Sequence, residues 1–103
     1  MSEKAYQLVE VAKQSGSISK GSNEVTKAVE RENAEHVVIA EDVEPQEIVM
    51  HLPLLCEEKD IKFTKVPSKV ELGAAAGLPI STTSVAIHSA GNGKDILEEL
   101  NNQ

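Results

Sequence analysis

The chain has 103 residues, a length that sets the expectation at one domain. Its 10 basic and 17 acidic side chains give a formal net charge of −7, and a 40% hydrophobic share excludes a disordered tail as the main reading. The longest apolar run, Val37-Val38-Ile39-Ala40, falls far short of the ~20 residues a membrane-spanning helix needs. No basic-then-apolar leader is recognisable at the N-terminus, and the lone Cys56 suits a reducing compartment, so a cytoplasmic protein with no membrane partner is expected.

Ala5, Leu8, Val9 and Ala12 recur at the spacing of an amphipathic helix, which Gly16 and its flanking serines stop. Ser17 to Lys20 reads as a short extended segment. Gly21-Ser22-Asn23 reads as a tight turn into a second helix ending near Glu32, because glycine permits unusual backbone angles and Ser or Asn caps free amides. Val25, Ala28 and Val29 form the apolar face of that helix, while Glu24, Lys27 and Arg31 share the opposite one. His36-Val37-Val38-Ile39-Ala40 is continuous and β-branched, the pattern of a strand buried on both faces.

An acidic loop, Glu41-Asp42-Val43-Glu44, leads to Pro45, a favoured first helical position. The third helix expected there turns Ile48, Val49 and Leu52 inward, is kinked or divided by Pro53 near His51, and runs on to Lys59. Lys62 to Val66 predicts a strand. Ser68-Lys69-Val70-Glu71 is a capping box opening a fourth helix, which Gly77 closes. Leu78 to Thr83 is a loop and Ser84 to Ile87 a strand. Asn92-Gly93 opens a last helix with Ile96, Leu97 and Leu100 inward. Strands alternating with helices predict an α/β layered sandwich around a small, partly parallel sheet.

Catalytic chemistry finds little support. His51 and Cys56 are five apart, which does not set both on one helical face, and neither a second Cys nor a paired His completes a metal site. Glu41, Asp42 and Glu44 lack the longer ligand series and glycine of a calcium loop. His88 belongs to no recognisable Ser–His–acid order, and Gly73 and Gly77 do not match a phosphate loop. No catalytic residue, metal or cofactor is expected.

The charge is unevenly spread. Residues 1–31 hold Lys4, Lys13, Lys20, Lys27 and Arg31 against four acidic groups, so the excess of negative charge lies in the rest of the chain. With only Tyr6 and Phe63 as aromatics, the chain cannot build the base-stacking platform of single-stranded RNA modules. Any RNA it binds is read by hydrogen bonds, charge and shape. Lys20-Gly21-Ser22-Asn23-Glu24, with Lys27 and Arg31, has the required chemistry: a helix start offers free amides, Asn23 can donate and accept, and Glu24 accepts from base amino or imino groups. An exposed helix face with ordinary charge pairing accounts for the same pattern, and on these residues alone it is the favoured reading.

The run from Lys20-Gly21-Ser22-Asn23-Glu24-Val25-Thr26-Lys27 to Arg31 resembles the signature of the kink-turn-binding ribosomal protein family, whose archaeal member is of the seven-Ae type. The resemblance continues through Val37 to Pro45, His51-Leu52-Pro53-Leu54-Leu55-Cys56 to Lys59, Val66-Pro67-Ser68-Lys69, Leu72-Gly73, Ala75-Ala76-Gly77 and Ser84 to Ile87. It covers nearly the whole chain in order and spacing. It implies a single kink-turn RNA-binding domain over 1–103, a three-layer α-β-α sandwich with a small mixed four-stranded sheet. It implies no enzyme but a monomer that stabilises a sharply bent RNA with tandem sheared G·A pairs beside a bulge. Ribosomal RNA, box C/D and H/ACA guide RNAs and ribonuclease P RNA are the implied partners, with guide-particle core proteins. By that likeness Gly21, Asn23 and Glu24, flanked by Lys20 and Ser22, enter the groove at the G·A pairs with Lys27 beside them. Arg31 supports the backbone. Glu44, Ile48 and Lys69 hold the nucleotide flipped from the bulge, and Leu78, Pro79 and Ile80 cover the bulge. Glu32 departs from the family, which has glycine after the arginine. A second class of function, a protein-interaction adaptor using the acidic stretches 41–47 and 57–60, or a paralogue of the fold with weak RNA binding, is the alternative.

Overall fold

In the computed structural model, which describes residues 2–102, the run His36–Ala40 forms a strand buried at every position. Such a strand has no solvent face and needs cover on both sides. Among the described residues the elements are α1 (Ser2–Ser15), β1 (Ser17–Lys20), α2 (Ser22–Glu30), β2 (His36–Ala40), α3 (His51–Glu58), β3 (Phe63–Val66), α4 (Lys69–Ala75), β4 (Ser84–Ser89) and α5 (Lys94–Asn101). The sheet order is β1-β4-β2-β3, with β4 antiparallel to both its neighbours and β2 parallel to β3. Helix α1 buries Ala5, Leu8, Val9 and Ala12 and packs against α4 and α5, while α2 packs against α3. This is the layered α/β arrangement with a mixed four-stranded sheet that the sequence predicts.

The segment after β2 differs from expectation. Pro45 stays extended, with ψ 151°, and precedes a 3-10 turn at Gln46–Ile48 rather than opening an α-helix. Helix α3 starts at His51, so Pro53 lies in its first turn, where a missing N–H leaves no bond unmade. The division resets the helical phase. Val49 and Leu52 are buried as expected, but Ile48 turns outward and is 39% exposed, which corrects its inward assignment.

Three helices end in the same way. In α2, the Asn33 N–H donates to the Ala28 carbonyl at 2.8 Å and the Glu32 N–H to that of Val29 at 2.9 Å, with Glu32 left-handed at φ 54°. In α3, Ile61 and Asp60 make the equivalent bonds to Cys56 and Glu57, with Asp60 at φ 58°. In α4 the position is Gly77, at φ 79°, as the sequence predicts. The capping box at the start of α4 is half formed. Ser68 Oγ accepts from the Glu71 N–H at 3.1 Å, but the Ser68 N–H goes to the Tyr6 hydroxyl at 3.1 Å and so ties α4 to α1.

Two buried groups have structural explanations. Burial pushes the Cys56 thiol up to about 11, which keeps it protonated and inert. His36 is fully buried and satisfied on both ring nitrogens, with Nδ1 2.7 Å from Asn101 Oδ1 and Nε2 2.8 Å from Thr64 Oγ1. Burial lowers its pKa below the usual histidine value, against the opposing pull of the Asn101 bond.

Two outcomes follow. Glu32→Gly removes a side chain from a left-handed position and is expected to stabilise the fold by about 0.5–1 kcal/mol, measured by urea unfolding. The folded state resists protonating His36 while the unfolded state accepts a proton below about pH 6.5. Stability is therefore complete above that pH and falls as pH drops toward 5. A His36→Gln variant should show a smaller drop over the same range.

Candidate functional site

Strand direction brings four chain segments to one end of the sheet. Lys20, closing β1, pairs with Val85 near the start of β4, and Ile39 of β2 pairs with Ser84. Ala40, closing β2, pairs with Val66, closing β3. The entry to α2, the acidic loop after β2, the turn into α4 and the loop before β4 consequently share an edge. Backbone bonds join them: Gly21 N–H to the Ser84 carbonyl at 2.9 Å, Ala40 N–H to Thr83 at 2.9 Å, and Thr82 N–H to Lys69 at 3.1 Å.

The residues nominated from sequence fall largely on this edge. Lys20, Gly21, Ser22, Asn23 and Glu24 form the β1–α2 junction, and Lys27 stands one turn further along α2. Glu44 and Ile48 come from the loop after β2, Lys69 begins α4, and Leu78, Pro79 and Ile80 belong to the loop before β4. Arg31 is set apart. It caps the far end of α2, about 13 Å along the axis from Ser22 at ~1.5 Å per residue.

The two helix starts on this edge differ. At α2 the N-cap is Gly21, at φ 92°, and no side chain caps the free amides. Open space lies where a Cβ would stand on Gly21, so the backbone angle calls for glycine and its bareness leaves the amides accessible. At α4 the amides are taken: Asp42 Oδ1 accepts from the Lys69 N–H at 2.8 Å, and Ser68 Oγ accepts from that of Glu71. Helix α2 therefore presents amides, whereas α4 presents the Lys69 side chain.

Glu24 and Lys27 are both more than half exposed, with Lys27 Nζ 3.7 Å from Glu24 Oε1. A pair this loose and wet stabilises the helix by only ~0.2–0.5 kcal/mol, so both groups can turn to another partner at little cost. Beside them runs a groove bordered by Asn23, Lys27, Ile48 and His51. Ile48 and Ile80, the latter 70% exposed, put apolar surface on an otherwise polar edge. Leu78 is half-buried against the core and anchors its loop, leaving Pro79 and Ile80 outward.

Three residues important to this geometry were not nominated from sequence. Asp42 reaches across to α4. His51 Nε2 lies 2.7 Å from Thr26 Oγ1 and joins the start of α3 to α2. Their partners lie 27 and 25 residues away, so local spacing carries no sign of either bond. Gly73 is the third: a Cβ there would stand 2.1 Å from the Ile80 carbonyl oxygen, because the loop before β4 crosses directly over α4. A glycine interior to a helix is a readable signal of such close approach. No group of three or more His, Cys, Asp or Glu side chains among the described residues is arranged to hold a metal ion, and no described helix is long and apolar enough to cross a membrane.

The model of the ribosomal protein L7Ae/L30e/S12e/Gadd45 family matches residues 3–97. Among solved structures, this chain is similar to the Giardia lamblia 15.5kD RNA binding protein, with 35% sequence identity and a TM-score of 0.90 over 98% of this chain and 84% of that one.

Gly73→Ala forces the backbone carrying Ile80 to move. It is expected to cost about 1–3 kcal/mol of stability by overpacking, read as a lower midpoint in urea unfolding.

Proposed function

The chain belongs to the ribosomal protein L7Ae/L30e/S12e/Gadd45 family, and on that footing we propose that it binds structured RNA and stabilises the kink-turn. The observation that carries this reading is the gathering on one edge of an uncapped helix start, the polar group of Asn23, the loosely paired and exposed Glu24 and Lys27, and the outward Ile48 and Ile80. That combination suits a partner presenting base edges, phosphates and an unstacked base together. Likeness to the Giardia lamblia 15.5kD RNA binding protein supports the same reading.

Gly21 allows the α2 backbone to approach sheared G·A pairs closely, with Lys20 and Ser22 on either side. Asn23 offers both donor and acceptor to a base edge. Glu24 accepts from base amino or imino groups, a contact a carboxylate makes to bases but not to phosphates. Lys27 meets backbone phosphate, and Arg31, at the far end of α2, reaches the backbone of the adjoining stem. Glu44, Ile48 and Lys69 hold the base flipped from the bulge. Leu78 braces the loop from which Pro79 and Ile80 cover it. Free RNA exchanges between extended and kinked forms, and the protein shifts that exchange by its differential affinity for the kinked one. In this role it acts without catalysis as a nucleus of ribosomal, guide-RNA and ribonuclease P particles. Guide-particle core proteins join afterwards.

Calorimetric titration against a short kink-turn duplex, beside a control with both G·A pairs made Watson–Crick, tests the proposal. Tight binding to the first and little to the second is expected; equal weak binding to both refutes it. Asn23→Ala and Glu24→Ala should each cost about 1–3 kcal/mol of binding. Lys27→Ala should reduce the salt slope by about one unit.

A further inference from the structure

We infer that Asp42 and His51 are positioning residues of the RNA surface, each fixing one end of the loop that carries Glu44 and Ile48; the inference rests on the kink-turn reading above. The loop leaves β2 at Glu41, whose N–H bonds to the Val66 carbonyl at 2.8 Å, and contains one 3-10 turn before α3. Its two ends are clipped to opposite layers of the sandwich. At one end Asp42 Oδ1 takes the first N–H of α4, the helix packed with α1, and so holds the loop against Lys69. At the other end the Thr26 hydroxyl donates to the Ser22 carbonyl at 2.6 Å and its lone pair faces His51 Nε2 at 2.7 Å, with the N–H on the histidine. That bond holds the start of α3 against α2, one turn from Asn23.

The three proposed holders of the flipped base thus come from two elements, the loop and α4, whose mutual placement depends on the Asp42 clip. The His51 clip sets the same loop, through Ile48, against the groove at Asn23 and Lys27. A surface whose parts are already in place loses less conformational freedom on binding, and affinity rises by that saving. Asp42 is also a carboxylate on a surface read as meeting phosphates. Charge alone makes it a liability there, whereas its acceptor geometry gives it a role that a neutral acceptor retains.

The opposing signs make the test decisive. Asp42→Ala, Asp42→Asn and His51→Leu are titrated against the kink-turn duplex and against the same duplex made abasic at the flipped nucleotide, with thermal unfolding followed in parallel. Ordering one further side chain on binding costs about 1 kcal/mol, which corresponds to roughly fivefold in affinity. We expect Asp42→Ala and His51→Leu to lose about that much on the intact RNA and clearly less on the abasic one. Asp42→Asn, which keeps an acceptor oxygen and sheds the charge, should bind at least as tightly as the parent. Tighter binding by both Asp42 variants would mean that the carboxylate only repels RNA and would overturn the inference. Equal losses on the two RNAs would overturn it in favour of a general effect on folding. Undiminished binding by Asp42→Ala or His51→Leu, where the parent still prefers the kink-turn, removes that residue's role while leaving the function intact. A parent that does not distinguish the kink-turn from the Watson–Crick control overturns the functional reading and the clips together.

Discussion

Burial of β2 on both faces is the constraint from which the architecture follows. His36, Val37, Val38, Ile39 and Ala40 leave no position for solvent, and Val37, Val38 and Ile39 each contribute about 1.5–3 kcal/mol by leaving water. Helices must therefore lie on both sides of a sheet only four strands wide. With β2 and β3 parallel and β4 running against β2, the chain arrives at or leaves the same end of the sheet at Lys20, Ala40, Val66 and Ser84. The candidate site is built on that end. Backbone bonds join the ends of β1, β2 and α4 to the segment leading into β4, and side-chain bonds of Asp42 and His51 tie the loop after β2 to α4 and α2.

The chemistry of that surface reconciles an acidic chain with an RNA partner. A net charge of −7 offers no general attraction to phosphate. In the proposed function recognition rests on directed hydrogen bonds and on shape, and the two helix starts differ in what they offer it. The amides of α2 are uncapped behind Gly21, whereas those of α4 are occupied by Ser68 and Asp42. One acidic side chain is thus spent within the protein, while Glu24 stays exposed, and in the proposed function it is base donors rather than phosphates that it meets.

Strain is distributed away from this edge. Left-handed backbone at Glu32 and Asp60 closes α2 and α3 at their far ends, where each reversal satisfies two terminal carbonyls. The buried His36, bonded to Thr64 and Asn101, fastens α5 and β3 to the central strand. The core can hold such a polar group because both ring nitrogens have partners.

What the sequence determined by itself is whatever depends on neighbours a few residues apart. The stripe of Ala5, Leu8, Val9 and Ala12, the β-branched run of β2, the Ser68 cap and the Gly77 stop are all local patterns, and each appears where it was read. The Gly21–Lys27 turn was legible for the same reason, together with its likeness to a known family. Tertiary structure alone decided the outward turn of Ile48, the reach of Asp42 to α4, the bond from His51 to Thr26 and the passage of the Ile80 backbone over Gly73. Those contacts join residues close in space but separated in the chain, and their geometry depends on strand order and direction. Periodicity reports which face of an element is apolar; it carries no information about which loop lies across from it.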